Sequence, residues 1–252
     1  MEIHYNPHLE KNSKWKTYLL EFMMIFFAVC AGFLAERFRE QLKDKEHLHK
    51  YMLSMVADLK SDMMMFDSTM MENAESRRMT DTLIFLLKTK SKNNSEIYYL
   101  ARTIPLKRDS YYPNTKTFDQ LKSSGGLRLI EQENILDSIT SYYQALKWYD
   151  VEGSNLYQAS EHVFVSDERL FDGMVFQKML KTMKSGSYSS DFEKPSENPP
   201  LLTSDPLSIN SVVMSYHALC SVSRVMEDEA KISKAQAKRL VTLLEKEYNL
   251  KD

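Results

Sequence analysis

Glu21 is the one ionisable side chain in the apolar run from Tyr18 to Ala35. A carboxylate inside a membrane helix commonly binds a proton or a partner group. One turn inside the helix N-terminus it is also favoured by the macrodipole and within reach of water, and this interfacial reading is preferred. His47 and His49, with Glu46, raise a metal site. Residues two apart point to different helix faces, whereas ligands on a helix need a spacing of three or four, so a solvated charged face explains them better. His4, His8, His162 and His217 show no ligand spacing with one another. Met63, Met64, Met65, Met70 and Met71 carry thioethers of the kind that bind Cu(I). Only Met63 and Met70 fall on the apolar stripe, where methionine serves as core or as a plastic partner surface. Ser123-Ser124-Gly125-Gly126 lacks the Gly-Lys-Ser/Thr and preceding strand of a phosphate loop, and it is not the Gly-x-Ser-x-Gly of a nucleophile elbow. A helix stop that directs Leu127 and Ile130 into the core is the better account. Tyr111, Tyr112 and Pro113 suit an exposed aromatic edge or ordinary loop packing, and acidic pairs such as Asp228 and Glu229 single out no acid–base couple. The sequence thus offers no catalytic residue, cofactor or metal site, and no enzyme is expected.

The apolar run itself asks for a different solvent. Phe22 to Ala35 is fourteen residues without a charge, and extending it from Trp15 to Phe38 reaches the roughly 20 residues that a bilayer requires. Trp15 and Tyr18 at one edge, and Arg37 and Arg39 at the other, form an interfacial pattern of anchors. A cleaved leader fits less well, because the run continues into charged helix formers with no turn signal. Val29 argues against lipidation of Cys30, where a small residue is expected. A core helix of a soluble protein remains the rival for so short an uncharged stretch. Glu21, Ala28, Gly32 and Ala35 share one side, and small residues so placed let two membrane helices approach closely. Three lysines precede the span, while Arg37, Arg39, Lys43, Lys45 and Lys50 follow it. That count leans toward a cytoplasmic C-terminal region, although the same five residues lie among acids and also suit a charged helix face.

Net charge is −2, so no basic field invites nucleic acid. Two cysteines, Cys30 and Cys220, make no disulfide framework. Between Gly32 and Pro105 there is neither Gly nor Pro, which argues for long helices over short strands. Leu48, Met52, Met55, Leu59, Met63, Phe66 and Met70 keep helical spacing. Continuous with the span, this helix would run about 90 Å to Asn73 at ~1.5 Å per residue. The pattern lapses at Glu75–Arg78, where a bend or a new helix is expected, and a weak point falls at Gly153. Ile135, Ile139, Tyr142, Leu146 and Tyr149 form the next stripe, continued by Leu156, Val163, Leu170 and Met174. In the last block Val212, Tyr216, Leu219, Ser223 and Met226 share a face, and Ser233 is placed to cap a final helix through Ala237, Leu240, Val241 and Leu244. The expected fold is all-α, with a single N-terminal transmembrane helix continuing into a long, coiled-coil-like helix and an antiparallel helical bundle. Its divisions are a polar tail at 1–14, the transmembrane helix at 15–38, the bundle at 39–183, a flexible linker at 184–206 and a C-terminal helical segment at 207–252.

Trp15, Lys16, Tyr18, Leu19, Leu20 and Glu21 at the head of the span, then Phe38, Arg39 and Glu40 at its end, resemble a family of bacterial single-pass membrane proteins whose function is not known. A second motif is similar to that family's FxxLxSSGxLxxI, here Phe118, Leu121, Ser124, Gly125, Leu127 and Ile130, followed by a helix holding Tyr142 and Tyr143. The resemblance implies a fold and a bacterial inner (cytoplasmic) membrane location, and no activity. The functional expectation is a membrane-anchored helical scaffold or interaction protein. Its partners would be the lipid bilayer and either further copies of itself or another membrane or envelope protein. The alternatives are a helical sensor or regulator that relays a signal to a partner, and an ion- or proton-conducting subunit using Glu21.

Overall fold

A computed structural model describes residues 11–106, 112–180 and 192–250, without the side chains of residues 11–14 and 148. The described residues are helical with no strands beyond one isolated bridge, Leu180 to Phe192. Two compact units divide the chain, Met1–Met52 and Leu53–Asp252. The first helix, α1 (Lys11–Lys88), contributes to both.

Within the first unit the apolar run is helical throughout and exposed on every side. Phe22, Ile25, Phe27, Phe33 and Leu34 are each 61–74% exposed. Mean hydropathy reaches 2.1, none of that window is buried, and the helix is long and apolar enough to cross a membrane. Among the described residues nothing is packed around this window, whereas the core helix of a soluble protein is mostly buried. The helix already includes Lys11, the first described residue, ahead of the expected Trp15.

The second unit is a helical bundle. Its long members are the later part of α1, the pair α4 (Glu133–Ala145) and α5 (Trp148–Asp167), and α7 (Pro206–Glu247). Ion pairs of Lys60 with Glu245, Asp67 with Lys234 and Arg77 with Glu227 ascend α1 while descending α7, so these two helices are antiparallel. Tyr142 shares a groove with Leu240, and Asp167 bonds Tyr216; α4 and α5 therefore also oppose α7 and run parallel to α1. A parallel pair needs a crossover. It is supplied by α2 (Asn94–Thr103), a 3-10 turn at Ile104–Leu106, α3 (Lys116–Ser123) and a 3-10 turn at Gly126–Leu129.

Spacing explains the packing. Met55, Leu59, Asp62, Phe66, Thr69, Asn73, Ser76, Thr80, Leu83 and Leu87 alternate by four and three, and all are buried. On α7, Val212, Tyr216, Leu219, Ser223, Met226, Ala230, Ser233, Ala237, Leu240 and Leu244 repeat the same alternation, again all buried. These are heptad seams, apolar at both ends and small or polar in the middle. Several expectations are corrected by them. Met63 and Met70 are only half-buried, because Asp62 and Thr69 hold the seam positions. The apolar lapse at Glu75–Arg78 is no break: Asn73, Ser76 and Thr80 carry the seam through it as helix. Ser233 lies inside α7, buried, and caps nothing. The chain breaks between α4 and α5 at Leu146–Lys147 and passes Gly153 as helix. Met174 is 66% exposed in the short α6 (Gly173–Lys178), and Met179 is buried instead.

The expected linker at 184–206 is corrected too. Residues 184–191 lie outside the described part, but 192–205 is an extended strap fastened to α2. Asn198 accepts from Ser95 N at 3.0 Å and donates to Lys92 O at 2.6 Å. Tyr98 Oη donates to Pro200 O at 3.1 Å, and Leu202 N donates to Leu170 O at 3.0 Å. Low hydropathy signalled a linker, but these polar side chains close backbone bonds that an extended segment cannot make with itself. Asp205 then caps α7 by accepting from Ser208 N at 2.9 Å.

Candidate functional site

Glu21, Ala28, Gly32 and Ala35 fall within about 60° of arc at ~100° per residue, and all four are exposed. A Cβ added at Gly32 would meet nothing within 4 Å, so this side of the helix has room for a close neighbour. Trp15 and Tyr18 are 69% and 66% exposed, and Arg37 and Arg39 lie in the open at the other end, Arg39 paired with Glu36. Trp and Tyr at one end of an apolar run and Arg at the other are residue types that favour a boundary between water and an apolar phase.

In the second unit the polar chemistry is concentrated at two joints. At the first, Asp58 and Asp62 project from consecutive turns of α1 toward the start of α3. Thr115, the residue before α3, makes no side-chain cap. Asp58 substitutes for one, accepting from Thr117 N at 3.3 Å and from the Thr117 hydroxyl, and from Asn114 Nδ2 at 2.8 Å. A carboxylate suits a helix N-terminus because it meets unpaired amides and the positive end of the dipole. Asp62, 1% exposed, accepts from Asn114 N at 3.1 Å and Tyr142 Oη at 2.8 Å. Alongside, Phe118 stacks on Tyr143 at 4.3 Å between centroids. Burial, and then the negative charge of Asp62 and Asp58, push the Tyr143 phenol above its ordinary range.

The second sequence motif lands here. Leu121 and Ile130 are buried, and Phe118 and Leu127 are half-buried. Ser124 and Gly125 form an exposed turn in which Gly125 has φ +71°. Gly126 is held tightly, since a Cβ there would sit 2.8 Å from Leu121 Cδ1. These contacts shape a helix stop.

The second joint ties α2, α5 and α7. Tyr216, fully buried, reaches Ala101 O at 2.8 Å and Asp167 Oδ2 at 3.0 Å. Burial lifts the Asp167 carboxyl well above its usual range, against the opposing pull of the Tyr216 bond and of Arg102. Its Oδ1 has no hydrogen-bond partner. Arg102 spreads its guanidinium over Phe176 and Phe192 at 5.5 and 5.3 Å. Sequence reasoning missed Asp58, Asp62, Asp167 and Arg102. For Asp62 a signal existed, its heptad position between Leu59 and Phe66.

Other candidates stay apart. Glu46 bonds Lys50 at 2.6 Å, while His47 and His49 are exposed. No group of three or more metal-binding side chains occurs among the described residues. Met64 and Met71 are 68% and 73% exposed, Tyr112 is 81% exposed, and Tyr111 lies outside the described residues. Comparison with protein families, with characterised proteins and with solved structures finds no match.

Proposed function

We propose that this chain is a scaffold or interaction protein of the bacterial inner membrane, anchored by Trp15–Phe38 and working through contacts instead of chemistry. The observation that carries the reading is an apolar helix exposed all round. A helix hydrophobic on every side belongs in a core or in lipid, and lipid is the occupant left. The polar groups of the helical head are spent on joints between helices, as at Asp58 and Tyr216. Glu21 sits at the headgroup level, and the face through Ala28, Gly32 and Ala35 takes a second membrane helix, from another copy or from an envelope partner. Size measurement of the full chain in mild detergent tests this. An oligomer or a co-purifying partner that is lost in Gly32→Leu supports it; a strictly monomeric particle with no partner removes its support.

A second reading, a relay from the bundle to a partner, is favoured by the polar middle of the α1 and α7 seams. Thr69, Asn73 and Ser76 against Ala230 and Ser233 give a stretch with little apolar burial, and low local stability is where conformational change concentrates. Hydrogen exchange slower at both ends of α7 than at Ala230–Ala237 is its expected sign, and uniform protection would oppose it.

A further inference from the structure

A cavity of about 570 Å³ opens where α1 ends, α2 begins and the strap gives way to α7. Small-molecule sites commonly enclose roughly 300–1,000 Å³. Leucine and isoleucine form its apolar walls, through Leu86, Leu87, Ile97, Leu201, Leu202 and Ile209, and no aromatic ring lines it. Leu87 and Ile97 are buried. Leu202 is 59% exposed, although its amide is tied to Leu170 O. Branched aliphatic walls with no ring to stack on suit an alkyl chain better than an aromatic ligand.

Lys90 is the one charged residue in the lining. It stands in the turn that closes α1, where Ser91 N donates to Leu86 O at 3.0 Å and Lys90 N to Leu87 O at 3.3 Å. Its backbone is left-handed, with φ +50°. Glycine is the usual occupant of that position, and a side chain there is disfavoured. What lysine adds is an ammonium group next to Ser91 and Asn94, which also line the cavity. That ammonium has no carboxylate partner among the described residues. The surroundings are positive as well, since Thr82 to Ser95 carries Lys88, Lys90 and Lys92 and no acid. Glu96 is paired with Lys194, and Asp205 is spent on Ser208 N and Oγ, at 2.9 Å each. Glu193 and Glu197 of the strap line a separate hollow, with Lys178 and Lys194. Aliphatic walls beside an unpaired cation complement a hydrocarbon tail that ends in an anion.

We propose that this cavity binds a single-chain alkyl carboxylate of fatty-acid type, its head at Lys90 and its chain among Leu86, Ile97, Leu201 and Ile209. The site lies wholly in the second unit and shares no residue with the span, so either can fail without the other. The test uses the full chain in phosphatidylcholine nanodiscs and dodecanoate carrying a diazirine at its tail end. Light attaches the probe, and peptide mapping locates it. The span meets the probe in the bilayer and calibrates the dose. Label is expected within 84–97 and 200–209, displaced by excess dodecanoate but not by acetate or by dodecanol at the same concentration. Lys90→Gly suits the left-handed turn and removes only the cation, so the chain stays folded. Loss of one charged contact at an exposed lysine should weaken the labelling about tenfold. Ile209→Trp, which fills the cavity, should abolish it. Label confined to 15–38, equal displacement by dodecanol, or undiminished labelling of Lys90→Gly would each overturn the proposal. So would label at 84–97 that excess dodecanoate leaves in place, the sign of an open surface.

Discussion

Asp58→Ala should release the start of α3 and loosen the crossover that lets α1 and α4 run parallel. The variant removes a carboxylate that caps Thr117 N and holds Asn114 Nδ2 at 2.8 Å. Loss of an N-terminal cap costs about 0.5–2 kcal/mol, and a hydrogen bond to a charged group contributes about 1.5–3 kcal/mol. Asp58 is half-buried, so water recovers part of both; about 2–3 kcal/mol is expected in total. For a unit of this size each kcal/mol moves the Tm by about 2–4 °C, giving a drop of about 5–10 °C. Circular dichroism melts of the full chain in detergent would follow it, with exposed Asp137→Ala as reference, expected within about 0.5 kcal/mol of the parent. Asp58→Asn, which keeps a neutral acceptor, should fall between. If Asp58→Ala melts with Asp137→Ala, the carboxylate is not what holds α3.

Asp167 binds its proton more tightly folded than unfolded, because burial raises it. Its contribution is therefore complete below the unfolded carboxylate range near pH ~4 and is lost as pH climbs through the folded value. Urea midpoints between pH 4 and 8 should fall less steeply in Asp167→Asn than in the parent, and parallel curves would argue that Asp167 stays charged. Ala230→Leu, at a fully buried position in the small middle of α7, should cost about 1–3 kcal/mol by overpacking, read as a lower urea midpoint; no change would mean that the helices are not close there. Gly126→Ala should destabilise by more than about 1 kcal/mol through its clash with Leu121, in the same assay, and neutrality would show that Leu121 yields.

Where burial follows apolar periodicity, the fold was legible. Ile135, Ile139 and Tyr142, and on α7 Val212 to Met226 and Ala237 to Leu244, were readable because their side chains announce the core, whereas the small Ala230 and Ser233 between them read as the gap before a new helix. The middle of α1 was not, since a seam lined by Asp62, Thr69, Asn73, Ser76 and Thr80 looks like solvent to a hydropathy pattern. Met63 and Met70 sit one residue further on and supplied a false apolar stripe. The strap at 192–205 was opaque for a related reason, as its polar residues act on a distant helix that local sequence does not name. Asp167 and Arg102 are joined only by the packing of α2, α5 and α7, a tertiary fact with no trace in spacing. The small-residue face at Ala28, Gly32 and Ala35 is visible in sequence because one helix carries all of it.

The central claim is that Trp15–Phe38 lies in lipid. Flotation of the full chain with liposomes through a density gradient, after an alkaline wash that strips peripheral proteins, tests it most directly. The chain should rise with the lipid, and Phe26→Lys with Phe33→Lys should leave it at the bottom. A full chain that stays in the dense fraction, dissolved without detergent, would contradict the account.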